Sequence, residues 1–315
     1  MILLLVCVPL LTPFLAVPAA RRAAAVLAPR AAVALLTATA LVLAASATAA
    51  LALLVVPGAS YLPAVAVLEE LGRPLTIGPP VVTVGLALAA AGALLRLVLP
   101  AGAGLLRDRA EVRRARAAAG PGGGELAVLR DARPDAYALP GRPGRIVVTT
   151  GMLRALEPAE REALFAHERA HLRGRHHLHL QAMEVAARCH PALRALREPL
   201  CYALERTADE AAATAVGDRR LAARAIGRAA LATRSAPAPV AHRPRAALAA
   251  VAGPVPRRVA ALLGAGDSRA TRPRAGRLVA GALLLCLAVS GGTALGAAGE
   301  VHAHIESAQG ETSGP

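Results

Sequence analysis

Residues 31–56 run for twenty-six positions with only Ala, Val, Leu, Thr and Ser, without a charge or a proline. As a helix, such a run crosses a hydrocarbon core about 30 Å thick, and a lone segment satisfies its own backbone there only as a helix. The chain is therefore expected to be an α-helical membrane protein. Three further apolar runs, at about 1–19, 80–99 and 277–298, bring the expectation to about four transmembrane helices. The first holds Pro9 and Pro13, and its charges, Arg21 and Arg22, follow the apolar stretch. A secretory leader carries its charge ahead of that stretch, so this one reads as a span with its N-terminus outside. In the third, Arg96 lies near enough to the end to snorkel to the interface. A mean hydropathy of +0.48, with 55% hydrophobic and 2% aromatic residues, belongs to the same class.

Arginine sets the expected orientation. All 36 basic residues are Arg, against 21 acidic ones, for a formal net charge of +15. The 21–30 turn holds Arg21, Arg22 and Arg30, and residues 101–277 hold 31 of the 36. The 57–78 loop and the 299–315 tail carry Glu69, Glu70, Glu300, Glu306 and Glu311 against Arg73. Excess Arg marks the cytoplasmic side. That rule puts 101–276 in the cytoplasm of a multi-pass cell-membrane protein and leaves 299–315 as a short extracellular tail. The lipid bilayer, through an anionic inner leaflet, is the natural partner for the charge. No aromatic platform or nucleic-acid motif accompanies it, so direct nucleic-acid binding is not expected. Cys7, Cys189, Cys201 and Cys286 show no paired spacing, which argues against a disulfide framework or a thiolate zinc site. Cys189 and Cys201 read as ordinary buried thiols.

Within 101–276, a core at about 125–231 precedes a Pro/Ala/Arg-rich linker at 232–276. Arg107–Ala119 reads as an Arg-rich helix leaving the membrane, and Gly120–Gly124 as a flexible join. Arg145–Thr150 is a β-branched strand closed by Gly151. It is either purely structural or, along Ile146–Thr150, an edge on which an extended peptide pairs. A helix opened by Glu157-Pro158 follows, then a helical run to about Arg188, a break at His190-Pro191 and a helix from about Leu196 through Asp209. Arg257–Leu263 reads as a short amphipathic helix inside the linker.

The chemistry concentrates in Ala163–His177, ALFAHERAHLRGRHH, where His167-Glu168-Arg169-Ala170-His171 is an H-E-x-x-H motif. Residues four apart share a helix face, so both imidazoles reach one Zn²⁺ per chain. Glu168 stands where it takes the proton of a zinc-bound water. Pro158, Glu160 and Glu162 suit a helix N-terminus, and Gly174 reads as the stop. A third ligand has two candidates. Gly174 and His177 complete H-E-x-x-H-x-x-G-x-x-H, with His177 as ligand. Glu205 from the later helix is the other, with Asp209 four residues on to orient a ligand His. The His177 pattern needs a Met-containing turn, and Met183, the only downstream Met, sits in the helical run LQAMEVAAR, which weighs toward Glu205. Tyr202, three residues before Glu205, is a candidate oxyanion donor. His176, His177 and His179 read as an interfacial cluster, and His302 and His304 are too few for a metal site. A membrane scaffold with a structural zinc is the non-enzymatic alternative. Glu168 argues against it, because a structural site has no use for a carboxylate beside an open metal position.

From about Tyr137 to Ala215 the chain resembles the membrane-embedded zinc metallopeptidases of the BlaR/MecR antirepressor family, which are gluzincin-like. It is more distantly similar to the prenyl-protein (CAAX) and HtpX-type membrane proteases. Pro140-Gly141, Ile146–Thr150, Gly151-Met152-Leu153, the H-E-x-x-H with Arg175-His176-His177, Pro191 and Glu205-Arg-Thr-Ala-Asp209 carry the resemblance. It implies a mainly helical α+β zincin-like metallopeptidase domain inserted between spans 3 and 4. It also implies His167, His171 and Glu205 as zinc ligands, Glu168 as general base and Asp209 in support. The implied activity is that of a membrane-anchored zinc-dependent endopeptidase, HExxH…E in type, cleaving a cytosolic regulatory protein such as a winged-helix repressor of the BlaI type. The CAAX/HtpX-type alternative is protein processing or quality control. Two departures stand out. Only 299–315 follows the last span, where penicillin-sensing members carry a large sensor domain, and His190 stands beside Pro191 where an aromatic residue is common.

Overall fold

The structure, a computed structural model, describes residues 2–68, 74–75, 78–120, 124–235, 244, 254–264 and 273–310. In chain order the first helices are α1 (Ile2–Val26), α2 (Pro29–Ala59), the short α3 (Pro63–Leu68) and α4 (Pro80–Ala118). Three of these, α1, α2 and α4, are long and apolar enough to cross a membrane, as is the last helix, Pro273–Gly310.

Each apolar run lies inside one of these helices, but the helices overrun the runs. With 39 residues at about 1.5 Å each, α4 is about 58 Å long. The 80–99 run and the Arg-rich segment after it are therefore one rod passing through Pro100, not a span and a separate helix. The last helix likewise continues past Glu300 and Glu306, so most of the expected tail is helical. Once a helix is nucleated, each added residue gains a hydrogen bond. The good helix formers Ala, Leu, Arg and Glu that fill both extensions continue it whether or not they are apolar, despite Pro100, Gly102 and Gly104 in α4 and Gly299 in the last helix.

The sheet has three strands, β1 (Leu126–Leu129), β2 (Ala136–Leu139) and β3 (Arg145–Thr149), in the order β1-β3-β2. β3 lies parallel to β1, with Ile146 opposite Leu126, and antiparallel to β2, with Val148 opposite Ala136. Of the two readings of Ile146–Thr150, this pairing excludes the free edge and leaves the structural strand. Both sides of β3 are already paired, all five of its residues are buried, and Thr150 begins the next helix. The Arg145 guanidinium donates to the carbonyls of Ala119, Gly120 and Gly124 at 3.1, 2.7 and 3.2 Å, tying the sheet to the C-terminal end of α4. At Gly151 a Cβ would stand 2.1 Å from the Ala132 carbonyl oxygen, so a glycine is needed where β3 turns into α5 (Thr150–Ala155).

Beyond the sheet come α6 (Pro158–Arg173), α7 (His176–Cys189), a 3₁₀ turn (Pro191–Leu196), α8 (Arg197–Val216), α9 (Arg219–Arg234), α10 (Val255–Leu262) and α11 (Pro273–Gly310). The predicted start of the motif helix, the break at His190-Pro191 and the short helix in the linker are all present. The rest of the linker, at 236–243, 245–253 and 265–272, lies outside the described residues.

What the sequence did not foretell is how α7 and α8 sit on the first two helices. One apolar core joins Ala16, Ala20, Leu36 and Leu43 of α1 and α2 to Leu180, Met183, Leu193, Leu196, Leu200 and Leu204. His190 pins the arrangement: Nδ1 accepts from the Ala192 N–H at 3.3 Å, so Nε2 donates to the Leu10 carbonyl at 3.0 Å. Its ring meets Phe14 edge-on at 5.0 Å. The departure at position 190 thus has a physical role, a polar clasp between the 3₁₀ turn and α1. Cys189 and Cys201 are free, partly buried and packed against this core, and burial pushes the Cys201 thiol up to about 11.

Candidate metal centre

The motif helix is set by local chemistry first. Pro158 occupies its first turn, and the Glu157 N–H donates to the Glu160 carboxylate at 3.0 Å. Glu160 also receives Arg228 from α9 at 2.9 Å, which fixes the start of the helix in space. Leu164 then packs against Ala136, Val148, Met152 and Leu156, pressing one face of α6 onto the sheet side. The adjoining face carries His167, Glu168 and His171, none more than 3% exposed. Facing them from α8 are Glu205 and Asp209, both at 0%.

His167 Nε2 and His171 Nε2 are 3.1 Å apart, and the Glu205 oxygens stand 3.5 and 3.6 Å from them. Donors bound at about 2.0–2.1 Å in a tetrahedron are about 3.4 Å from one another. The three groups therefore outline one face of such a tetrahedron, and two imidazoles with one carboxylate are a donor set that zinc takes. Among the described residues, His167, His171 and Glu205 are the cluster that could hold a metal ion. His177 lies elsewhere, half-buried beside Glu125, Arg142 and Leu172 in a separate cavity.

Both imidazoles are held from behind through Nδ1. Asp209 Oδ1 is 3.1 Å from His167 Nδ1, and His176 Nδ1 is 2.6 Å from His171 Nδ1. Each contact leaves Nε2 aimed inward. His176 was read from sequence only as part of an interfacial cluster, but the structure buries it against His171. Gly174 makes this possible. Its φ of −75° is ordinary, and the left-handed residue is Arg175 at 47°. A Cβ at Gly174 would stand 2.4 Å from the His176 ring, so the glycine serves close approach rather than a left-handed stop.

The residue that sequence reasoning missed altogether is Arg258. It is fully buried on α10 and grips Asp209 with two hydrogen bonds, at 2.8 and 2.6 Å. Its other terminal nitrogen is 2.7 Å from Glu205 Oε2. The signal was available: Arg258 precedes the buried Ala261 and Leu262 by three and four residues, so it interrupts an apolar stripe. The neighbouring Arg257 lies over the Tyr202 ring at 4.4 Å, covering the face of that ring.

The charges explain one another. Burial opposes the Asp209 carboxylate, but Arg258 and His167 overcome it and hold the group below its usual range. Burial also opposes the His167 cation, and Asp209 with Glu205 outweighs it, raising the ring to about 9. His176 has no such carboxylates. Burial, with His179, His167 and His177 around it, lowers it to about 4, which keeps it neutral and able to accept from His171.

Residues 107–195 match the sequence model of Peptidase family M48. The matched segment runs from the Arg-rich part of α4 into the 3₁₀ turn. It contains His167, Glu168, His171 and His176, while Glu205, Asp209 and Arg258 lie beyond it. The family includes membrane zinc metallopeptidases. No curated protein and no solved structure matches the chain significantly.

A stability prediction follows from Arg258. Its removal leaves two carboxylates buried without their cation, a loss of about 3–5 kcal/mol for breaking a buried pair from one side. Arg258→Ala should therefore melt far below wild type in detergent, whereas Arg257→Ala should stay close to it. Equal melting temperatures for the two variants would show that the buried guanidinium does not hold the site together.

Proposed function

We propose that the chain is a membrane-anchored, zinc-dependent endopeptidase of HExxH…E type, with its catalytic segment between the third and fourth spans and facing the cytoplasm. The observation that carries this reading is the convergence, at ligand spacing, of Glu205 from α8 with His167 and His171 of α6, the helix that also bears Glu168 and lies in the segment similar to Peptidase family M48.

His167, His171 and Glu205 would hold the zinc ion, which would supply Lewis-acid polarisation of a carbonyl and acidify a water. Glu168, beside those donors, is the carboxylate that would accept a proton from the attacking water and return it to the leaving amine. Asp209 and His176 keep the two imidazoles in the tautomer whose Nε2 lone pair faces inward. Arg258 pairs with the buried Glu205 carboxylate and, with His167, holds the Asp209 carboxylate ionised despite its burial.

For the substrate, we favour membrane-bound or lipidated proteins, as in CAAX/HtpX-type processing and quality control. The common core of α1, α2, α7 and α8, clasped by His190 on the Leu10 carbonyl, supports this by holding the site against the bilayer. The resemblance to antirepressors supports a second substrate, a winged-helix repressor of the BlaI type, and an M48 match is compatible with either. The test compares newly formed protein N-termini in cells carrying wild type or Glu168→Ala, with a candidate repressor co-expressed. Fragments of membrane proteins in wild type alone are expected. Cleavage confined to the repressor would move the assignment to the antirepressor reading, and identical fragments from both proteins would remove the peptidase assignment.

A further inference from the structure

Behind the metal-facing side of α6 lies a second cavity of about 700 Å³, walled by the start of α2, by α6, by the first turns of α7 and by α8. Among the described residues, the charged groups bordering it are Arg30, Arg169 and Arg173, with His176, His179 and Thr207 beside them and no carboxylate. Arg169 is already committed to Glu125 through two hydrogen bonds, at 2.8 and 3.0 Å. Arg30 and Arg173 are the exposed charges left at the mouth. The other walls are apolar, with Val33 of α2 facing alanines of α6 and α8.

Position gives this composition its meaning. Arg30 is the second residue of α2, a helix apolar enough to span, so the cavity opens where that helix leaves the bilayer. This is the depth of lipid phosphates, and guanidinium groups there bind phosphate oxygens by charge-assisted hydrogen bonds. We propose that the cavity binds the phosphate headgroup of one anionic phospholipid, with acyl carbons along the apolar wall. The ligand chemistry is a phosphate anion, and the apolar wall assigns it to a lipid rather than to free phosphate. The proposal rests on α2 being a membrane span and is independent of the peptidase reading.

The test uses the full chain in nanodiscs of phosphatidylcholine containing a minority of phosphatidylglycerol, followed by native mass spectrometry. Wild type should retain one phosphatidylglycerol per chain, and R30Q/R173Q should retain at least about tenfold less. R21Q/R22Q, which removes two exposed charges outside the cavity, should retain it like wild type. Inorganic phosphate should not displace the lipid. Failure of wild type to hold phosphatidylglycerol overturns the proposal, and this arm does not depend on the folding of any variant. Equal losses in the two double variants would reduce the effect to general surface attraction, and displacement by inorganic phosphate would make the cavity a free-phosphate site. Either result overturns the lipid assignment.

Discussion

Glu168→Gln protein is expected to purify with its zinc and to hydrolyse peptide about 10²–10⁴-fold more slowly than wild type, the usual worth of a general base. The separation of the two readouts follows from the proposed roles. The three donors at ligand spacing are His167, His171 and Glu205, so an amide at position 168 takes nothing from metal binding. It does remove the only function proposed for that carboxylate, acceptance of the water's proton. The side chain is wholly buried within the field of Arg258, and Gln keeps its volume, so packing is preserved. The measurement is metal content by mass spectrometry beside peptidase rate on the same preparation. Retained activity with full zinc would take the general-base role away from Glu168, and loss of zinc would make it a ligand.

The second large effect concerns the choice of third ligand. Glu205→Gln should weaken zinc binding at least about 100-fold, because losing a ligand costs more than losing a group that orients one. His177→Ala should leave the affinity within a few-fold of wild type, since that ring lies in another cavity. Competition with a chromophoric chelator measures both. A reversed order would establish the H-E-x-x-H-x-x-G-x-x-H ligand set in place of the one proposed. Asp209→Asn provides an intermediate case: it loosens His167 from behind without removing a donor, and a 10–100-fold loss is expected.

How far these residues were legible varies with the distance over which each one acts. The helix that carries His167, Glu168 and His171 could be read from Glu157 onward, because its capping, its Pro at the first turn and its period are all local. The break at His190-Pro191 and the short α10 were legible for the same reason. The pairing of β3 was not, since its neighbours are chosen by packing. Ile146–Thr149 reads equally well as an edge or as a centre, and the structure makes it the centre. His176 was misjudged because its partner His171 lies across the tight turn at Gly174 and Arg175, where helical spacing no longer predicts direction.

By itself, the sequence determined about four apolar runs long enough to cross a membrane as helices, and a motif helix with two imidazoles and a carboxylate on adjoining faces. Those features follow from apolar run length and from the 3.6-residue period, and both are properties of contiguous residues. Glu205, weighed over His177, and Asp209 were already candidates in the sequence, and only the tertiary structure brings them, together with Arg258, to the motif helix. Glu205 and Asp209 come from α8 and Arg258 from α10, and α7 and α8 dock on α1 and α2 through the Leu10–His190 clasp. The physical reason is burial. Glu205 and Asp209 are enclosed together with a guanidinium that pairs with both, and which Arg of the 36 supplies it depends on how helices pack across long connections. That information is absent from any local stretch of the chain.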